Sequence, residues 1–198
     1  STMTMDQIAL TSADGWTASL DDALLATRQN REIDDAHDIA FNAQNLSLPT
    51  KIKSVFDPNG LLSDTFDQVK IEGTLGFSAP WDRVAIEAMP PDLTLIKLDA
   101  VNFTWGDLSL DAVGSATIDR FGSPTGKVEL RAKNWQKMLN LARDSGSLRQ
   151  DLADSIETGL TLLARLSGNP ETLNIPLSFR KNRTYLGPIP IGPAPLLR

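Results

Sequence analysis

The chain has no cysteine among its 198 residues, one histidine, one tyrosine, and aromatic residues amount to only 6%. Without cysteine there is no disulfide, no thiolate nucleophile and no Cys-based zinc site. The single histidine, His37, falls in the polar stretch DDAHD and reads as a solvated loop residue. A Ser-His-Asp triad would have to use it, and no G-x-S-x-G elbow is present. Basic residues are in deficit, 19 Lys and Arg against 25 Asp and Glu, for a net charge of −6. That balance disfavours nucleic acid, which is held by cations on phosphate, and electrostatic docking on anionic lipid heads. No run of about 18 apolar residues exists to cross a membrane as a helix.

Cofactor signatures are equally scarce. GSPTGK at 122–127 resembles a phosphate cradle, but its spacing is wrong and it leads into a strand, so it reads as a hairpin turn. The acids around Asp34, Asp35 and Asp38, and the pair Asp21-Asp22, do not fit an EF-hand loop and read as solvated loops. Asp99, Asp111, Asp119 and Glu129 are scattered over the polar sides of alternating runs, with no opposed pair in an apolar setting. No enzyme activity, metal or cofactor is expected.

What the sequence does contain is alternation. MTMDQIAL, WTASL (with Trp16, Ala18 and Leu20 on one side) and HDIAFNAQNLSLP read as three strands, with QNREIDDAHD as a loop. TKIKSVFDPNG reads as a short helix or irregular link closed by a D-P-N-G turn. DQVKIEGTLGF puts Val69, Ile71, Leu75 and Phe77 on one face, and APWDRVAIEAMPP then breaks the sheet. Residues 93–133 read as a three-strand antiparallel meander. Its inward positions include Phe103, Trp105, Val128 and Leu130; Gly106-Asp107 and RFGSPTG make the turns. Glycines in mid-strand, as in IEGTLG and DAVGSA, mark bulges or bends.

Two helices follow. Asn134 is placed to cap WQKMLNLARDSG, whose stripe includes Trp135 and Met138, and Gly146 to end it. Ser147 is placed to cap the second helix, with Ile156, Leu160 and Leu163 on its stripe and Gly168 at its end. LNIPLSFR resumes the strand pattern. The chain then closes with YLGPIPIGPAP, where Pro188, Pro190, Pro193 and Pro195 remove every second or third donor. Such a segment cannot be a central strand. It is expected as a strap on a sheet edge, with Ile189 and Ile191 turned inward.

The run from WGDLSLDAVGSATIDRFGSPTGKVELRAKNWQKMLNLARDSG to the terminal LGPIPIGPAP resembles an uncharacterised family of alphaproteobacterial envelope proteins, domain of unknown function 2125, over residues 93–198. The strand–glycine–strand style is also similar to that of AsmA-like proteins, whose curled sheets carry lipids. The resemblance implies a longer precursor anchored in the inner membrane, with this chain as its periplasmic C-terminal portion. It brings no catalytic residues.

Together these features predict one α+β domain over residues 1–198: a curved, mainly antiparallel sheet with a C-terminal helical hairpin packed on one face. The expected function is a non-enzymatic periplasmic envelope protein that binds an apolar ligand, a lipid chain, in the groove between sheet and helices. Its lining residues are Phe103, Trp105, Val128, Leu130, Trp135, Met138, Ile156, Leu160 and Leu163. Trp81, beside Pro80, is expected to be exposed as a partner contact. One alternative is a structural module of the envelope with a filled core and an envelope protein as partner. Another is a hydrolase of an envelope polymer.

Overall fold

A computed structural model describes residues 1–12, 17–81, 90–146, 148, 150–167 and 171–197. Ten strands and three helices are found among them. In chain order they are β1 (Thr2–Thr11), β2 (Thr17–Gln29), β3 (Ala36–Ser47), α1 (Thr50–Phe56), β4 (Thr65–Phe77), β5 (Leu93–Trp105), β6 (Leu108–Ile118) and β7 (Pro124–Lys133). Helices α2 (Trp135–Asp144) and α3 (Gln150–Ser167) follow, then β8 (Thr172–Arg180), β9 (Arg183–Leu186) and β10 (Ile189–Pro193). The strands form one open antiparallel sheet in sequence order, β1 at one edge and β10 at the other. Each strand pairs with the next in sequence, through short turns at β5–β6, β6–β7 and β8–β9 and through α2 and α3 between β7 and β8.

The register sorts the side chains onto two faces. Met3 lies beside Leu25, Leu25 beside Phe41, Phe41 beside Ile71, and Ile71 beside Val101. The same row continues through Ala112, Leu130 and Ile175. Residues directly opposite share a face, so one face is apolar from β1 to β8. The other carries Lys70, Lys97, Asp111, Lys127 and Arg131, as the alternation on β4–β7 predicts. At Asp99–Ala100 β5 carries extra residues against both neighbours, a bulge that keeps Val101, Phe103 and Trp105 on the apolar face.

Two buried clusters hold the covered part together. Ala132, Leu173 and Ile175 of the sheet meet Trp135 and Leu139 of α2 and Ile156, Leu160 and Ala164 of α3. Trp105, Phe66, Leu62 and Leu108 meet Leu141 of α2. Phe66 lies between Trp105 and Phe103, with ring centroids 4.2 and 4.8 Å away, and the Trp105 indole N–H donates to the Ser63 carbonyl at 2.9 Å. The D-P-N-G turn is pinned by the buried Asp57 carboxylate, which accepts from the N–H groups of Leu61 and Leu62.

Several sequence expectations change. TASL is only the start of a 13-residue strand: DDALLATRQ continues β2, so Asp21 and Asp22 are strand residues, not loop residues. His37 is in β3, half-buried, with its ring edge-on to Phe77 at 6.4 Å. Asn134 precedes α2 in a left-handed conformation (φ 57°) and makes no side-chain cap; its amide donates to the Asp107 carbonyl instead, tying the helix start to the β5–β6 turn. Gly146 ends α2 at φ 71°, a conformation glycine adopts without penalty. Trp16, Ser147 and Gly168 lie outside the described residues, as does most of the stretch after Trp81.

The proline tail is an edge strand. β10 pairs with β9, and Ile189 and Ile191 pack against the cluster under α3. A side chain on Gly159 of α3 would collide with Ile189 Cδ1, so this glycine makes the seat for the strap. The hairpin partner β9 was not anticipated; its turn, Lys181-Asn182, has both residues at positive φ (50° and 58°), the conformation of a two-residue hairpin loop.

Candidate functional site

The apolar face is covered over one half and open over the other. On β7 and β8, Val128, Ala132, Leu173 and Ile175 are buried. On β1–β5 most of the corresponding positions are not, apart from Trp105 at the covered border: Met3 is 57% exposed and Leu25 44%, and Ile39, Phe41, Ile71 and Val101 are half-buried. On that face of β2 and β3 the small Ala23 and Ala43 are buried. Five strands about 4.8 Å apart make a surface about 20 Å across, and a patch of that breadth on a protein surface marks a place where something apolar binds.

The nine expected lining residues divide between core and border. Trp105, Val128, Trp135, Ile156 and Leu160 are buried, four of them inside the two clusters. Phe103, Leu130, Met138 and Leu163 are half-buried. Phe103 and Met138 flank the Trp105 cluster, and Phe103 continues directly into Val69 on the open half. Sequence reasoning missed the open half as a surface because its alternation is the same as that of the covered half. The signal was there: seven strands precede the first long helix, and two helices cannot reach them all.

Three glycines sit on the apolar face at positions where a Cβ would strike the backbone of the next strand: Gly73 against the Lys97 carbonyl, Gly114 against that of Lys127, and Gly126 against that of Ser115. Such close approach needs glycine.

Trp81 is 44% exposed and lies against Phe77, centroids 4.4 Å apart. With Pro90, Pro91, Leu93 and Leu197 these rings line a small cavity of about 400 Å³. The Leu197 N–H donates to the Gly122 carbonyl, so the end of the tail runs past the β6–β7 turn to reach it.

A larger cleft of about 850 Å³ opens on the polar face near the β2–β3 turn. Asp38 is its centre. Asn30 donates to one carboxylate oxygen at 2.6 Å and Thr74 at 3.0 Å, while Arg28 donates to the other at 2.8 Å. The Asn30 amide first, then Arg28, hold the Asp38 carboxyl below its ordinary range. Lys97 pairs with Asp99 at 2.9 Å, and that carboxylate raises the lysine above its usual range. Each of these charges is matched by a neighbour, and a carboxylate held ionised by three donors is a poor proton carrier. The cleft is a structural network joining β2, β3 and β4.

The chain belongs to the family of uncharacterized proteins conserved in bacteria known as DUF2125, whose sequence model matches residues 1–195. The match extends over the N-terminal strands as well as the tail. No curated protein and no solved structure matches the chain.

Proposed function

We propose that this is a non-enzymatic protein of the bacterial periplasm that binds an apolar ligand, a lipid chain, along the apolar face of a curved sheet, with a helical hairpin packed over the other half of that face. One observation carries the reading. The row that is buried at Ile175 runs on, strand by strand, to half-exposed Val101, Ile71 and Phe41 and exposed Leu25. The glycines on that face supply the means of curling: a strand that bends toward one face crowds the Cβ atoms there, and Gly73, Gly114 and Gly126 have none. The ligand lies beside the helices, with Phe103 and Met138 at the border, because the space beneath them is filled by Trp135, Ile156 and Leu160.

Each methylene moved from water onto this face contributes about 0.8 kcal/mol, so an alkyl chain needs no charged anchor to bind. The absence of cysteine suits an oxidising periplasm, and the AsmA-like pattern of the sequence, an alphaproteobacterial envelope setting and an inner-membrane anchor in the precursor belong to the same reading. The runner-up is an interaction module whose open face is covered by another envelope protein, with Trp81 at its rim. Native mass spectrometry of the chain purified from bacteria, followed by organic extraction, separates the two. A bound species of lipid mass that is lost on denaturation supports the lipid reading. A bare chain that retains a second polypeptide supports the runner-up.

A further inference from the structure

The two edges of the sheet are built differently. β10 carries Pro190 and Pro193, and Gly192 shifts its register against β9; missing donors and a bulge are devices that keep an edge from pairing. β1 has no proline, and its only irregularity among the described residues, Gln7 at positive φ, falls beyond Asp6. Its ten residues, TMTMDQIALT, contain no proline and no basic residue, and one charge, Asp6. Ser1 and Thr27 exchange both backbone bonds, the Ser1 amine donating at 2.7 Å and the Thr27 N–H at 2.9 Å. Bonding alternates along an antiparallel pair. The odd residues of β1 therefore bond toward β2, and Thr2, Thr4 and Asp6 aim their N–H and C=O groups outward. No strand lies beyond β1 among the described residues.

We propose that β1 is an interface at which two copies of this chain pair edge to edge, antiparallel, about a twofold axis at Thr4. An isologous contact requires a self-complementary strand, and this one qualifies with the axis at Thr4. Thr4 exchanges bonds with the partner's Thr4, and Asp6 faces the partner's Thr2, a hydroxyl donor. Met3 comes opposite the partner's Met5 in the close, non-hydrogen-bonded position, so the apolar faces of the two sheets join. An axis at Asp6 sets two carboxylates opposite each other, which costs energy. Farther along, the positive φ of Gln7 (49°) interrupts the extended run. The net charge of −6 on each copy opposes association, so salt strengthens the dimer. The inference is independent of the lipid reading.

Light scattering of the 198-residue chain across a concentration series tests it. The expected mass rises from 21.5 kDa to twice that value. Thr4→Pro deletes an outward donor while leaving the bonds to β2 intact, so it returns the single mass with an unchanged melting temperature. The absence of cysteine allows a second readout. Thr4→Cys places two thiols across the axis, where the Cα separation of about 5.5 Å suits a disulfide, and mild oxidation yields a covalent dimer. Ile8→Cys, about 27 Å from its counterpart in this register, does not crosslink. A single mass at every concentration, a dimer that survives Thr4→Pro, or equal crosslinking at both positions overturns the proposal.

Discussion

β7 and β2 carry the same kind of message and meet opposite fates. On β7, Val128 and Ala132 point to the apolar face and are buried, with Leu130 half-buried between them. On β2, Ala23 and Leu25 point to that same face; the small Ala23 is buried, but the large Leu25 is 44% exposed. The difference lies outside the strands: α2 and α3 share buried clusters with β6–β8 and with Phe66 and Trp105 at the ends of β4 and β5, and no described residue of β2 joins either cluster. A period-two pattern says that a face wants to leave water. It does not say whether the protein's own helices or a second molecule will cover it.

That contrast can be broken from either side. The largest effect is expected in the covered half. Trp135→Ala empties the centre of the α2 cluster, and Leu173→Ala removes the most deeply buried leucine; each costs about 3–5 kcal/mol, measured as a shift of the urea midpoint with an unchanged slope. The corresponding change on the open half, Leu25→Ala, moves stability by no more than about 0.5 kcal/mol. If the two costs are equal, the open half is packed in solution and the distinction fails.

Removing the strap comes next. Truncation after Leu186 takes away Ile189 and Ile191 and uncovers part of the α3 cluster. Two half-buried isoleucines are worth about 2–3 kcal/mol together. An unchanged melting temperature would show the tail to be free. Gly159→Ala, which pushes against Ile189, costs about 1 kcal/mol in the full chain and nothing further in the truncated one.

Charge contributes less. Arg143 donates to Asp154 at 2.9 Å and to Glu157 at 2.6 Å, tying α2 to α3 across partners that are largely solvated. Arg143→Leu is therefore expected to cost only about 0.5–1 kcal/mol, and less at high salt. The smallest effect is that of Asp38. Its carboxyl titrates below the ordinary value of 3.8 in the fold, through Asn30 and Arg28. A lowered pKa means stability that is present above that ordinary value and lost as the pH falls through the folded value. The Asp38→Asn chain is thus slightly less stable at pH 7 and loses less between pH 4 and pH 2. A steeper acid loss in the variant would reverse the assignment.

Much of the fold was legible because it is local. The meander of β5–β7 is written in Gly106-Asp107, in the alternating charges of KVELRA, and in the row from Leu108 to Ile118. The stripes of α2 and α3 place Trp135, Ile156 and Leu160 in one cluster. What was hidden depends on partners distant in sequence. The pair Asp21-Asp22 looks like a loop because acids are uncommon in strands, yet Asp21 accepts from the Asn45 amide at 2.8 Å across the β2–β3 pair. Asn134 looks like a cap, and spends its amide on Asp107 instead. The candidate surface was hidden for the same reason: no residue of β2 or β3 records how far the helices reach.

Photocrosslinking with a diazirine-bearing fatty acid, mapped by tandem mass spectrometry, tests the central claim most directly. The account predicts adducts on the open half, at Leu25, Phe41 and Ile71, thinning toward Phe103 and absent from Leu160 and Leu173. Adducts confined to α2 and α3, or none on the apolar face at ligand concentrations that saturate other lipid binders, would contradict it.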